Sequence, residues 1–284
     1  MVDHLVSIIM PAYQVGAFIG EALHSIAVQT HTTWEVIVVD DHAPDDGTRV
    51  IVEAFARERT QQVRYLRHER NQGVSAARNT AIGVARGEFL AFLDPDDLWA
   101  PWHLERALAR FSQDPTVDVC TGPVINFRNG APGSYRKKKP IARWKMEHFP
   151  HSLAVHNFIQ PSATVVRRAA VVDVQGFETE QTLQHIEDYD LWIRLVLAGK
   201  RFAFLNEATS GYRKHASAAS ADPERMRVLD QRIRVRHEAF FTSGIEYMKG
   251  IPMEEPKWSQ KRSFMDRILG RTPMDHYDWI PLTH

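Results

Sequence analysis

Gly87-Glu88-Phe89-Leu90-Ala91-Phe92-Leu93-Asp94-Pro95-Asp96-Asp97 runs through five consecutive apolar residues into three carboxylates. An apolar run of that length, without polar alternation, is the pattern of a strand buried on both faces. Working outward, short runs of the same kind occur at Leu5–Met10, Trp34–Val39 and Val63–Leu66, and Trp34–Val39 also ends in acids, Asp40 and Asp41. Between the runs the period changes. Phe18, Ile19, Ala22, Leu23 and Ile26 recur at helical spacing, and Thr48–Ala56 and Val74–Ala85 also predict helices. Strand–helix alternation predicts an α/β fold with a mostly parallel sheet flanked by helices. Ligands of such sheets sit beyond the carboxyl ends of the strands. Pro11, Tyr13, Asp40, Asp41, Asp94, Asp96 and Asp97 all fall there.

Past about Gly130 the texture changes. Gly133–Trp144 is rich in Lys, Arg and Pro and predicts a mobile loop; Ser162–Val166 predicts a further strand. Asp188–Ala198 predicts a helix with Leu191, Trp192, Leu195 and Val196 as its buried stripe and Gly199 as its stop. Pro223–Phe241 predicts one charged helix.

The 284 residues are 44% hydrophobic and carry 35 basic and 35 acidic side chains. That balance offers no global field for nucleic acid, which is not expected as a partner. Cys120 is the single cysteine, so neither an internal disulfide nor a cysteine-built zinc site can form. No segment approaches the roughly 20 apolar residues of a membrane span, and Leu5–Met10 is short for a signal-peptide core and has no basic leader. The expected location is cytoplasmic, with peripheral contact at the inner membrane face as an option.

Several segments carry candidate chemistry, and each has a plain structural alternative. The carboxylates of Asp94-Pro95-Asp96-Asp97 repel one another and suit a hard cation such as Mg²⁺ or Mn²⁺, which binds oxygen ligands and bridges phosphates; equally, they cap a helix beginning near Pro101. Asn71–Asn79 opens a helix with small residues, so its N–H groups and Arg78 face a diphosphate, or Ser75 is a simple cap. Asp40 and Asp41 accept from a nucleobase, or start the turn through His42-Ala43-Pro44-Asp45-Asp46-Gly47. Glu187-Asp188-Tyr189-Asp190 supplies a general base, or only balances a helix dipole. The basic run Arg136–Lys139 clamps a leaving diphosphate or is merely solvated, and His215 is one of 14 histidines.

In their order, these segments resemble the inverting family-2 glycosyltransferases of GT-A fold. The series is Val6–Tyr13, Ser25–Thr30, Glu35–Asp41, Asn71–Asn79, Gly87–Asp97, Glu187–Leu195 and Tyr212–His215, spanning roughly residues 5 to 220. The resemblance implies a nucleotide-sugar donor, with a UDP-sugar the family's commonest choice, and a glycan, lipid-linked or other hydroxyl acceptor in surface polysaccharide or glycan biosynthesis. It implies that Pro11, Tyr13 and Asp41 border the nucleobase with Asp40 beside them, and that Arg78 lies near the nucleotide. It further implies that Asp94 and Asp96 form the metal and diphosphate motif, that Asp188 is the catalytic base and that His215 is a further metal or diphosphate contact. The expected organisation is a GT-A domain over residues 1–220, with a nucleotide-sugar half (1–125) and an acceptor and base half (126–220), followed by a helical extension (221–284).

One departure stands out. The family's usual Asp-Asp-Gly-Ser-x-Asp turn is replaced by Asp40-Asp41-His42-Ala43-Pro44-Asp45-Asp46, without the Gly and Ser. Rival classes fit less well. A dinucleotide-dependent oxidoreductase predicts Gly-x-Gly-x-x-Gly where Pro11-Ala12-Tyr13-Gln14 stands, and no Gly-x-x-x-x-Gly-Lys phosphate loop occurs. A non-catalytic nucleotide-sugar-binding or scaffold protein would be favoured by loss of the carboxylates, yet Asp94, Asp96 and Asp188 are present. The stretch Met253–His284, with Trp258, Phe264, Ile268, Leu269, Tyr277 and Trp279, is a candidate membrane contact, cleft cover or dimer contact, or packs back on the domain.

Overall fold

The structure, a computed structural model, describes residues 4–128, 136–215 and 222–255, with the backbone alone for 136–139. The first half follows the sequence reading: β1 (Val6–Ala12), α1 (Ile19–Ala27), β2 (Trp34–Asp40), α2 (Thr48–Arg57), β3 (Gln62–Arg67), α3 (Val74–Val84) and β4 (Phe89–Phe92). Then come β5 (Leu98–Trp99), α4 (His103–Gln113), β6 (Val119–Thr121), β7 (Val124–Phe127), β8 (Arg136–Lys139), α5 (Arg143–Glu147), β9 (Val165–Arg167) and α6 (Arg168–Asp173). The chain continues with α7 (Glu187–Leu197), β10 (Phe202–Phe204), β11 (Ser210–Arg213), α8 (Pro223–Arg236) and α9 (Glu238–Met248).

A seven-stranded sheet has the order β10-β6-β9-β4-β1-β2-β3. Its pairs are parallel except that β9 runs antiparallel to β4 and β6. Strands β1, β2 and β4 are buried along their whole length, which explains their continuous apolar sequence. The edge strand β3 is instead polar and exposed at both ends. Strand alternation divides the core: Val6, Ile8 and Met10 pack with Ile19, Leu23 and Ile26 of α1 on one face, whereas Ile9 packs with Ala77 and Ala81 of α3 and Trp192 of α7 on the other. A smaller sheet, β5-β11-β7-β8, lies beyond the acidic turn that follows β4.

Three expectations change. Within the expected mobile loop, Arg136–Lys139 forms β8 against β7, and α5 follows; residues 133–135 lie outside the described residues. The expected strand at Ser162–Val166 is the shorter β9, because a 3-10 turn takes up Pro161–Ala163. The expected helix over 223–241 is two helices, broken at His237, whose φ of −116° and ψ of 40° leave the helical region. Their residues Leu229, Ile233, Phe240 and Phe241 are buried in the same core as α3 and α7. Gly199 does end α7: at φ +71° it lets its own N–H reach Val196 O (2.9 Å) and that of Lys200 reach Leu195 O (3.0 Å). No described helix is long and apolar enough to cross a membrane. The expectations for the C-terminal stretch concern residues 256–284, outside those described, apart from Met253–Glu255.

Candidate active site

The carboxyl ends of β1, β2 and β4 open on one cleft of about 760 Å³. Pro11 and Tyr13 line it from the end of β1, and Tyr13 is 47% exposed.

At the end of β2 the two aspartates part. Asp41 lines the cleft, but its carboxylate accepts from the His68 ring (2.7 Å) and from the N–H groups of Gln72 (2.8 Å) and Gly73 (2.6 Å). It thereby fixes the loop that leads into α3. Asp40 does not reach the cleft. Its oxygens accept from Ala43 N (2.8 Å), Arg67 (2.5 Å) and the Tyr65 hydroxyl, so it braces the following turn beneath the surface. In that turn His42 takes the left-handed conformation, φ +62°, where the family's usual sequence has glycine. Asp46 completes it by accepting from Gly16 N (2.7 Å) and Thr48 N (3.1 Å).

Gly73, at φ +91°, turns the chain into α3, and Arg78 follows on the buried side of that helix. The guanidinium does not stand open for a diphosphate. It donates to Asp94 (2.7 Å) and Glu187 (2.5 Å) with only 2% of the residue exposed, and so cross-braces the two halves of the cleft.

The acidic turn after β4 distributes its carboxylates differently. The amide of Asp94 donates to Ser162 Oγ (3.1 Å), and its side chain turns into the cleft beside Arg78. Burial pushes the Asp94 carboxyl above its usual range, against the pull of Arg78. Asp96 also lines the cleft, with Oδ2 2.9 Å from His215 Nε2. Asp97 is buried and accepts from the amide of Arg213 (2.9 Å); burial and the charges of Asp96 and Asp94 hold it well above the usual carboxylate range. Arg213 also donates from Nε to the carbonyl of Asp96 (2.6 Å), so β11 holds both Asp96 and His215, two residues on. None of the three aspartates caps α4, which begins at His103 after Trp102 without a side-chain cap.

The first turn of α7 also lines the cleft. Glu187 is tied to Arg78 and to the amide of His185 (2.7 Å). Asp188 lines the cleft and accepts from Asn157 Nδ2 (3.1 Å) and Tyr189 N (2.7 Å). Burial, reinforced by Glu187, pushes its carboxyl up to about 7, although Arg78, the Tyr189 amide and Asn157 act the other way. Asp190 points away into the core. Burial alone would raise it, but His237 (2.8 Å) and Arg194 (2.6 Å) outweigh that and hold it below the usual range.

Asp41, Asp94, Asp96, Glu187, Asp188 and Asp230 thus line the cleft with Arg78. An anionic ligand entering such a wall needs a compensating cation. Among the described residues no group of three His, Cys, Asp or Glu forms a ready-made metal cage. The Asp96–His215 pair with Asp94 nearby nevertheless fits a Mg²⁺- or Mn²⁺-type ion, which takes one or two carboxylates and completes its shell with water and phosphate oxygens.

With this geometry in place, the sequence profile described as Glycosyl transferase family 2 matches residues 7–175. The chain belongs to the family-2 glycosyltransferases. It is 41% identical over 196 residues to the Escherichia coli UDP-Glc:alpha-D-GlcNAc-diphosphoundecaprenol beta-1,3-glucosyltransferase WfgD, covering 69% of this chain and 71% of that protein. It is 32% identical over 218 residues to the putative teichuronic acid biosynthesis glycosyltransferase TuaG of Bacillus subtilis, covering 74% and 79%. The crystal structure of S. aureus TarS 1-349 in complex with UDP-GlcNAc superposes with a TM-score of 0.65 at 22% identity, over 92% of this chain and 77% of that one, which identifies the GT-A fold. The protein is therefore a glycosyltransferase on a GT-A scaffold, with relatives in surface polysaccharide synthesis.

As a glycosyltransferase of this family it brings Pro11, Tyr13, Asp41, Arg78, Asp94, Asp96 and Asp188 into one cleft, with His215 held on Asp96; Asp40 and Asp97 are turned away from it. Sequence reasoning missed Asn157, Arg213, Met226 and Asp230. Asn157 lies in an irregular segment between two 3-10 turns, where no periodicity marks it. Arg213 had one signal, its place two residues before His215.

Proposed function

We propose that this glycosyltransferase moves a sugar from a UDP-sugar to a hydroxyl of a lipid-linked or other surface-glycan acceptor, with inversion at the anomeric carbon and with Asp188 as the base. The observation that carries this reading is the placement of Asp188 in the same cleft as Asp96, which is itself paired with His215. The half formed by residues 1–125 would take the donor and residues 126–220 the acceptor. The donor class is supported by the 41% identical relative, whose name specifies UDP-Glc and a diphosphoundecaprenol-linked acceptor.

Asp96 and His215, with Asp94 beside them, would hold Mn²⁺ or Mg²⁺, whose chemistry there is to offset charge on the diphosphate. Pro11, Tyr13 and Asp41 border the nucleobase side, where the amides of Gln72 and Gly73 keep the Asp41 carboxylate fixed. Arg78 keeps Asp94 and Glu187 at fixed separation across the cleft. Asp188, oriented by Asn157, takes the proton of the acceptor hydroxyl as that oxygen bonds to the anomeric carbon. The bond from that carbon to the diphosphate oxygen breaks on the opposite face, and its electron pair leaves with UDP.

The test is the anomeric configuration of the product, read by NMR from the coupling of the anomeric proton. An α-linked UDP-sugar is expected to give a β-linked product. An α-linked product would remove the single-displacement role of Asp188.

A further inference from the structure

Helix α8 lies beyond residues 7–175, which the family profile covers, yet two of its side chains, Met226 and Asp230, line the cleft beside Asn157, Asp188 and Tyr189. The helix is firmly seated. Its Leu229 and Ile233 are buried in the main core. Arg234 donates to Asp230 Oδ2 (2.6 Å) and to the carbonyls of Ala154 (3.4 Å) and Val155 (3.3 Å). At the C-terminal end, Arg236 Nε (3.1 Å) and His237 Nε2 (2.8 Å) reach Asp190, two residues after Asp188 on α7. The wall carrying Asp230 is thus fastened to the helix carrying the base.

The chemistry of this wall separates it from the donor side. Asp230 is 44% exposed at its side chain, and among the described residues its Oδ1 makes no hydrogen bond. Arg234 occupies Oδ2, which leaves Oδ1 as an acceptor facing the cleft side of the helix. An acceptor oxygen of this kind suits the O–H donor of a sugar. Met226, half-buried against the core, supplies an apolar surface next to it. Burial raises the Tyr189 phenol, with Arg234 pulling the other way and Asp230 and Asp188 adding to the rise, so the two carboxylates bear on one neighbourhood.

We infer that α8 is the acceptor wall of the cleft, with Asp230 receiving a hydroxyl of the acceptor sugar and Met226 packing against its carbon face. This rests on the donor and base assignments proposed above. Asp230 binds and orients the acceptor without touching the departing UDP.

The test uses the full chain with UDP-glucose as donor and p-nitrophenyl α-N-acetylglucosaminide as the acceptor probe. Asp230→Ala and Asp230→Asn are compared with wild type for acceptor KM, for UDP-glucose hydrolysis without acceptor and for UDP affinity. Loss of one hydrogen bond to a charged group is expected to raise the acceptor KM of Asp230→Ala about 10-fold or more, with a smaller rise for Asp230→Asn. Hydrolysis and UDP affinity should stay near wild type, which also reports intact folding. An unchanged acceptor KM in both variants overturns the inference, and so does a parallel loss of UDP affinity, which would make α8 a donor wall. If wild type hydrolyses UDP-glucose but the glycoside does not accelerate UDP release, the acceptor wall falls while the donor reading stands. If wild type neither binds UDP nor hydrolyses UDP-glucose, the donor reading itself fails and takes this inference with it.

Discussion

Asp188 is held in conflicting surroundings. Burial and the neighbouring Glu187 disfavour its charge, while Arg78, the Tyr189 amide and Asn157 favour it, which leaves its carboxyl near 7. A base must be ionised to act, so kcat/KM is expected to rise about tenfold per pH unit below 7 and to level off above it. Asp188→Asn should remove transfer by roughly 10²- to 10⁴-fold while leaving UDP affinity unchanged; a variant keeping most of its transfer rate would show that another group is the base. The same residue bears on stability with the opposite sign. Because its folded pKa lies above the unfolded value, its stabilising contribution is complete below about pH 4 and is lost as pH rises towards 7. The neutral amide escapes that loss. Asp188→Asn is expected to be more stable than wild type at pH 8 by roughly 1–2 kcal/mol, after allowing for solvent screening of a partly exposed group. Thermal melts at pH 5 and pH 8 check this: the gain should appear at pH 8 and shrink at pH 5.

The turn after β2 shows how an element keeps its shape when its usual sequence is missing. His42 occupies the left-handed region at φ +62°, and its ring nitrogen lies 3.2 Å from the His68 carbonyl. Left-handed geometry costs a non-glycine residue roughly 1–2 kcal/mol, while glycine loses about 0.5–1 kcal/mol more entropy on folding. His42→Gly is therefore expected to be neutral or stabilising by up to about 1 kcal/mol in chemical denaturation, with UDP binding intact. Destabilisation by 1 kcal/mol or more would mean that the contact with His68 holds the turn. From the sequence, this element was legible as a turn, but the fates of its two aspartates were not. Asp40 ends β2 and Asp41 follows it, and which of them meets the cleft depends on Tyr65, Arg67 and His68 of and beyond β3. The buried strands β1, β2 and β4 were legible because flanking by other strands and helices on both faces imposes continuous apolarity. The two- to four-residue strands β5, β6, β7, β10 and β11 are too short for any period to register.

At the scale of the whole molecule, the cleft is where segments far apart in sequence converge. Asp94 and Glu187 meet on one buried arginine, Asp96 and His215 meet through β11, and α8 closes the wall beside Asp188. The acidic turn and the α7 acids were readable one by one, but their joint use of Arg78 was not, since each link is a long-range contact with no local pattern. The result is a cleft in which, among the described residues, the lining carboxylates outnumber the one lining arginine, so diphosphate binding should depend on a divalent cation. Calorimetric titration of UDP, GDP and dTDP, each with Mn²⁺ and with chelator, tests this most directly. The expected result is UDP binding that requires Mn²⁺, is far weaker for GDP and dTDP, and is lost in Asp96→Ala. UDP binding of equal strength in chelator, or no binding of any of the three nucleotides, would contradict it.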